Sequence, residues 1–379
     1  MLLRNTIGLQ RSPGRFFFCL RSIAICTSAY FSTQVRASSS KMMRAAHINS
    51  PGGPEQLTVT EKARPELRPQ EILIKIYASA INRADTLQRK GLYPPPPGES
   101  DILGLEASGV VEAVHGSVKK WKVGQPVMAL LPGGGNAEYA ACHEDTAMLI
   151  PQGLNFNEAA AIPEVWLTAY KLLHPVGGVK AGDTVLIHAG ASGVGTAAIQ
   201  LCRQVAANCI ITAGSEEKIN FGKRLGASHG FNYKEGSFGK KVLEATDGKG
   251  VNLILDCIGA SFWKDNLEAV ALDGTWVIYG LMGGAELPGN VLGPLLRKRV
   301  DLKFTTLRTR PMEFKKQLVE SFSSATMSQF SSKSLKPVID KTFSLEEIAD
   351  AHRLMESNQT IGKVILQVQK EADKAHSEL

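Results

Sequence analysis

The run His188-Ala189-Gly190-Ala191-Ser192-Gly193-Val194-Gly195 constrains the fold more than any other part of this chain. It joins an apolar strand, Thr184 to His188, to an amphipathic helix expected from about Gly195 to Val205. Glycines at such a junction let the backbone turn tightly and approach a pyrophosphate, whose charge then rests on the helix N-terminus. The spacing is Gly-x-x-Gly-x-Gly rather than Gly-x-Gly-x-x-Gly, so the turn by itself is a weak sign, and a turn made for packing alone would look the same. The pattern downstream of the turn adds weight. Apolar strands at Cys209 to Ala213, near Phe231, at Asn252 to Asp256, Trp276 to Tyr279 and Leu302 to Thr306 alternate with helical stretches at Glu216 to Leu225, Phe238 to Thr246, Trp263 to Ala271 and Val291 to Lys298. Six strands alternating with helices predict an α/β fold with a doubly wound parallel sheet. Near-continuous apolar strands such as Val185-Leu186-Ile187 suit a sheet covered on both faces.

The second strand addresses which dinucleotide would sit there. An NAD site places an acid at that strand's end, on the ribose 2′-hydroxyl. Here the end reads Thr212-Ala213-Gly214-Ser215-Glu216-Glu217-Lys218, with Gly214 and Ser215 at the critical place and Lys218 one turn on. A small residue, a hydroxyl and a cation suit a 2′-phosphate, so NADPH is expected. Each hydrogen bond to a charged group contributes roughly 1.5–3 kcal/mol, and two would favour NADPH about a hundredfold or more. Ser215 also reads as a helix cap and Lys218 as a solvated cation, and both roles are compatible with phosphate binding.

Upstream, 43–160 reads as an irregular β-rich region. Its run Tyr93-Pro94-Pro95-Pro96-Pro97-Gly98 must be a stiff surface loop, because four prolines remove four amide donors. Downstream of Pro311 a helix (Phe314 to Ser321), a polar Ser-rich link, a strand (Val338 to Phe343), a helix (Leu345 to Ser357) and a strand (Gly362 to Val368) are expected to return to the first region, with a frayed tail over 369–379.

The chain has 379 residues and a net charge of +7, unevenly placed. Residues 1–41 hold Arg4, Arg11, Arg15, Arg21, Arg36 and Lys41 with no Asp or Glu, which accounts for six of the seven net charges. Such a leader has the composition of an organelle transit peptide, so a mitochondrial address over 1–42 is expected, with a cytoplasmic protein as the alternative. The nearly neutral remainder gives no support to nucleic-acid binding. No stretch approaches the ~20 apolar residues of a membrane span. Of six cysteines, Cys19 and Cys26 fall in the leader; Cys142, Cys202, Cys209 and Cys257 form no Cys-x-x-Cys pair and read as small buried hydrophobes.

An ordered set of blocks carries a family resemblance: Ala80-Ile81-Asn82-Arg83-Ala84-Asp85, Gly91 to Gly98, Ile102 to Gly109, Ala129 to Gly135, Ala161 to Ala169, the Gly190 to Gly195 turn, Asn252 to Gly259 and Tyr279 to Gly284. Spanning about 43–368, they resemble the quinone oxidoreductase (zeta-crystallin-like) branch of the medium-chain dehydrogenase/reductase superfamily, most of all its tumour-suppressor-inducible subgroup. The leader departs from that pattern. The resemblance implies a GroES-like catalytic domain (43–165), a Rossmann NADPH-binding domain (166–306), a C-terminal return (307–368) and a homodimer. It implies cofactor contacts at Thr168, Ser192, Gly193, Val194, Gly195, Gly214, Ser215, Lys218, Tyr233, Cys257, Ile258, Leu281, Thr306 and Asn358. Asn82, Tyr93 and Ser192 are the candidate catalytic residues: Asn82 as a donor to a quinone or carboxamide oxygen, and Tyr93 to hydrogen-bond or stack on a flat ring or to donate a proton. Asp85 reads as a turn residue, and His47, His143 and His174 as structural.

Zinc-dependent relatives supply an early Cys and a Gly-His-Glu, where this chain has Asn82 and Gly104-Leu105-Glu106, so no metal is expected. The implied reaction is hydride transfer from NADPH to a quinone, which needs no Lewis acid. The rival readings are an enoyl-thioester reductase and a low-turnover NADPH-binding protein.

Overall fold

The structure, a computed structural model, describes residues 41–287 and 289–370. The leader over 1–40 and the tail from 371 lie outside the described residues. Within the expected frayed tail Gln369 is held: its N–H donates to Tyr77 O and its Nε2 to Ile76 O (3.0 Å).

The N-terminal region is β-rich, as its sequence suggests. Strands β1 (Met42–Ile48) and β2 (Leu57–Ala63) form an antiparallel pair. The long β3 (Glu71–Ile81) leads into a short helix α1 (Arg83–Arg89), and β4 (Glu106–Val114), β5 (Pro126–Leu130), β6 (Tyr139–His143) and β7 (Ala147–Leu149) come after it. Two helices then lead out of this sheet, α2 (Phe156–Ala160) and α3 (Pro163–Lys171). The sequence reading did not anticipate α1, α2 or α3. Each carries a start signal: Asn82–Asp85 and Asn155–Glu158 form capping boxes, and Pro163 opens α3 at a position where its missing N–H costs nothing.

The second lobe keeps the alternation read from the sequence: β8 (Thr184–Ile187), α4 (Gly193–Gln204), β9 (Asn208–Ala213), α5 (Glu216–Leu225), β10 (His229–Asn232), α6 (Phe238–Ala245), β11 (Val251–Asp256), α7 (Trp263–Ala269), β12 (Val270–Ile278), α8 (Leu292–Lys298) and β13 (Asp301–Phe304). The six strands are all parallel, in the order β10-β9-β8-β11-β12-β13. The order reverses between β8 and β11, and a crevice opens there beyond the strand ends. Val185, Leu186 and Ile187 are fully buried, as a sheet covered on both faces requires.

The chain then returns. Helix α9 (Met312–Ser331) is 20 residues long, so the Ser-rich stretch expected as a link is helix. Leu318, Val319, Phe322, Thr326 and Phe330 lie on one buried face, and Phe330 packs edge-on against Trp166 of α3, ring centroids 4.7 Å apart. Burying these side chains outweighs the weak helix propensity of serine. Strand β14 (Ile339–Ser344), helix α10 (Ile348–Glu356) and strand β15 (Lys363–Gln367) complete the fold. Strand β15 pairs antiparallel with β3, so that the 7-stranded sheet runs β14-β15-β3-β4-β5-β7, with β6 also pairing β3 off this path. This pairing sets Val364 opposite Ile81 and brings Lys363 beside Asn82.

Arg89 ties α1 to α10. Fully buried, it donates to Gly52 O (2.9 Å), meets His352 Nδ1 (3.0 Å) and pairs with Glu356 (2.8 Å). Burial, reinforced by the Arg89 charge, pushes the His352 imidazole down to about 3. The folded state thus refuses a proton that the unfolded chain takes up near pH 6.5. This contribution to stability is complete above pH 6.5 and is lost as pH falls toward 3, at roughly 1.4 kcal/mol per pH unit. Urea unfolding at neutral and at acid pH checks it: the His352→Gln variant is expected to lose distinctly less stability on acidification than the parent.

Candidate active site

The crevice at the sheet reversal is a cleft of about 400 Å³ between the two lobes. Its wall is the Gly-rich turn. Ala189 adopts a left-handed conformation (φ +50°), and Ser192 caps α4, its Oγ accepting from Gly195 N–H at 3.1 Å. A Cβ on Gly195 would collide with the carbonyl oxygen of Ala189, so only glycine lets the helix start this close to the turn. Ser192, Gly193 and Val194 line the cleft, while Gly195 lies behind them. The seen role of the Ser192 hydroxyl is that of a cap.

At the end of β9, Gly214 meets Tyr233. A Cβ there would stand 2.8 Å from the phenol oxygen and 3.3 Å from Lys234 Cε. Lys218 Nζ donates to Asn358 O (2.6 Å), and Asn358 Oδ1 accepts from Arg83 Nη2 (2.5 Å). Asn358 holds a left-handed conformation (φ +56°) on the returning chain. One residue of the return thus gathers a cation from each lobe. Gly214, Lys218, Tyr233 and Asn358, singled out in the sequence, line one cleft with Cys257 and Ile258. Ser215 caps α5 by accepting from Lys218 N–H (3.4 Å) and does not line it.

The floor is a buried polar cluster. Glu106 (0% exposed) and Lys363 (3%) form an ion pair at 2.7 Å. Lys363 Nζ also donates to Asn82 Oδ1 (2.7 Å) and Ile81 O (3.0 Å), Asn82 Nδ2 donates to Glu106 Oε1 (2.8 Å), and Glu106 Oε2 accepts from Glu164 N–H (2.8 Å). Asn82 lines the cleft, but its amide is engaged at both ends, leaving only a long 3.4 Å contact from Nδ2 to Ala80 O. Here an ammonium draws together the oxygens of Asn82 and Glu106, and Leu105 is buried in the core. Among the described residues no group of three or more His, Cys, Asp or Glu side chains could hold a metal ion. Asp85 accepts Asn82 N–H (2.7 Å) and Gly104 N–H (3.0 Å). Burial pushes its carboxyl up to about 6 even so. Expected as a turn residue, it instead sits in the first turn of helix α1, holding the N–H of the residue that precedes the helix.

Other expected contacts stand apart. Tyr93 does not line this cleft; its ring lies 5.5 Å from the Arg308 guanidinium, and Arg308 in turn holds Pro132 O (2.8 Å) and Gln88 Oε1 (2.9 Å). Thr168, Leu281 and Thr306 do not line the cleft either; the Thr306 hydroxyl is 3.0 Å from that of Thr309. Burial, above all, pushes the Cys257 thiol up to about 12, so it serves as wall and not as nucleophile.

The sequence reading missed Arg83, Lys234, Glu106, Glu164 and Lys363. Arg83 comes directly after Asn82 and Glu106 after Leu105, so both sat inside blocks already singled out. Lys363 carried no local signal, because it reaches the site only through the β15–β3 pairing.

The comparisons with known proteins agree with this architecture. Residues 68–169 match the family model of the alcohol dehydrogenase GroES-like domain, and residues 193–324 that of the zinc-binding dehydrogenases. A quinone oxidoreductase of Sus scrofa is 32% identical over 333 residues, covering 87% of this chain and 99% of the relative. A quinone oxidoreductase of Pseudomonas aeruginosa is 31% identical over 316 residues, covering 83% and 96%. The crystal structure of Escherichia coli quinone oxidoreductase complexed with NADPH superposes with a TM-score of 0.78 at 29% identity, covering 86% of this chain and all of that one. With the parallel sheet, its reversal point and the β-rich lobe closing over it, these likenesses place the chain in the quinone oxidoreductase family of the medium-chain dehydrogenase/reductase superfamily.

Proposed function

We propose that this oxidoreductase reduces quinones at the expense of NADPH. The observation that carries the cofactor choice is the end of β9, where Gly214 and Ser215 stand in place of an acid, Lys234 lies against Gly214, and Lys218 and Arg83 line the same cleft, both held by Asn358. The pyrophosphate would rest against the N-terminus of α4, whose first residues Gly193 and Val194 line the cleft. Bound there, the nicotinamide supplies a hydride. Ser192, Gly193 and Val194 hold the phosphates, Tyr233 flanks the adenosine end, and Cys257 and Ile258 wall the ring. The Asn82–Glu106–Lys363 cluster gives the ring a rigid, charge-balanced floor. Tyr93 and its proline loop bound the acceptor side, where a flat acceptor is aligned and water excluded.

The test monitors NADPH and NADH oxidation by the full chain with an ortho-quinone, with an enoyl-CoA in parallel. Quinone-dependent consumption that favours NADPH supports the proposal. Turnover of enoyl-CoA alone moves the protein to thioester reduction, and tight cofactor binding without either reaction makes it a binding protein.

The homodimer belongs to the same proposal. Strand β13 is the edge of the parallel sheet, and Phe304 on it (67% exposed) stands with Leu292 (74%) and Leu296 (78%) of α8 as large apolar side chains in solvent. An unpaired edge beside apolar side chains is suited to a second copy. Phe304→Asp is expected to convert a dimer to a monomer in light scattering; a monomeric parent would sink this part of the reading.

We also infer, from the acid-free composition of residues 1–41, that the leader directs the chain to mitochondria. Residues 1–42 fused to a fluorescent protein should then carry it there, and a diffuse cytoplasmic signal would refute the inference.

A further inference from the structure

Three carboxylates beside the cleft, of Asp85, Glu106 and Glu164, are near enough to feel one another's charge, and two of them are fully occupied. Asp85 is spent on two backbone N–H groups, of Asn82 and Gly104. Glu106 is spent on Asn82 Nδ2, Lys363 Nζ and the N–H of Glu164. The third, Glu164, is anchored through its own backbone to Glu106, at the second position of α3 and next to Val165, which lines the cleft. Its carboxyl has no hydrogen-bond partner among the described residues, and the residue is only partly buried.

Charged and titratable groups face it from every side. Glu106 of β4 and Asp85 of α1 oppose its ionisation, while Lys363 of β15 and Lys171 two turns along α3 favour it. Tyr93, Arg308 and Lys315 are near enough to feel its charge, from the proline loop, the segment after β13 and the start of α9. Burial first, and the Glu106 charge second, push the Glu164 carboxyl up to about 7. A group that is half protonated near neutral pH suits proton transfer in either direction.

We propose that Glu164 is the proton donor of the reaction, placing its proton on the acceptor oxygen that hydride transfer leaves negatively charged. The inference rests on the quinone-reduction reading. Reduction of a quinone to a hydroquinone takes one hydride and one proton. The nicotinamide C4–H bond breaks and its electron pair reduces the quinone; the Glu164 O–H bond breaks and its proton neutralises the hydroquinone oxygen. The carboxylate then recovers a proton from solvent. Tyr93 is the weaker candidate for this role, because burial and the Glu164 charge both raise its phenol, which makes it the poorer acid.

The experiment uses the full chain and has two readouts. Kinetically, the parent's NADPH–quinone turnover should fall on the alkaline side of an apparent pKa near 7. The Glu164→Gln variant should lose about 100-fold or more in kcat, together with that alkaline limb. It should bind NADPH, measured by fluorescence, within about twofold of the parent. Glu164→Asp should keep the limb at reduced rate. Spectroscopically, difference infrared titration of the enzyme without cofactor should show a protonated carboxyl band that disappears near pH 7 and is missing from Glu164→Gln. A folded Glu164→Gln variant with unchanged rate and pH profile overturns the inference while leaving quinone reduction intact. If Glu164→Gln does not fold, Glu164→Asp replaces it in the infrared titration, and a band near pH 7 that this substitution leaves unmoved, as one from Asp85 would be, overturns the inference. A parent inactive toward every quinone removes the function reading, and the inference falls with it.

Discussion

Lys218→Ala is expected to raise the Kd for NADPH between about 10-fold and about 150-fold while leaving that for NADH nearly unchanged. The lysine stands one turn into α5, behind Gly214 and Ser215, and its ammonium is already held near the cleft by Asn358 O at 2.6 Å. A charge-assisted hydrogen bond to a phosphate contributes roughly 1.5–3 kcal/mol, which corresponds to that range of Kd. NADH has no 2′-phosphate to lose contact with, so the ratio of the two affinities isolates the effect from any general damage. Calorimetric titration of parent and variant with both nucleotides measures it. Equal losses for both nucleotides would mean that Lys218 acts only through its bond to Asn358, which holds the returning chain against the cofactor lobe.

Removing the ammonium of Lys363 should destabilise the whole protein. Glu106 is completely buried, and this ammonium is the only cation in hydrogen-bond contact with it among the described residues. Taking away one partner of a buried pair leaves an uncompensated charge, at about 3–5 kcal/mol. Lys363→Met should therefore lower Tm on the order of 10 °C. The double variant Glu106→Gln/Lys363→Met should cost less than the two single changes added, with a coupling of at least about 1.5 kcal/mol. Urea unfolding of the four proteins closes the cycle. Strict additivity would show that the pair contributes nothing beyond its separate packing.

The two lobes differed in how far the sequence betrayed them, and the reason is the range of the interactions. The parallel sheet announces itself because its central strands are apolar on both faces, as Val185-Leu186-Ile187 is, and because α4 and α5 carry their own caps, Ser192 for α4 and Ser215 and Gly226 for α5. In the β-rich lobe the helices are short, 7, 5 and 9 residues for α1, α2 and α3, too few turns to show a helical period, so they passed unseen even though their capping boxes and opening proline are local. The Ser-rich half of α9 misled for the opposite reason: its local propensity favours a loop, and only packing of Phe322 and Phe330 against α3 and its surroundings makes it helix.

The cofactor half of the site is legible in the residues alone. The Gly190–Gly195 turn, Gly214, Lys218 and Cys257 each come after a strand of one parallel sheet, and strand-end positions in such a sheet converge by topology. The reacting half is a product of tertiary contacts. Lys363 lies 281 residues beyond Asn82, and it reaches the amide only because β15 adds to β3. That ammonium holds the oxygens of both Asn82 and Glu106, Asn82 Nδ2 donates to Glu106 in turn, and with Asp85 bound to two backbone amides Glu164 is left as the carboxyl of this group without a hydrogen-bond partner among the described residues. Which of several acids keeps an unused oxygen depends on every partner the fold brings to the others, and no window of local sequence contains that information.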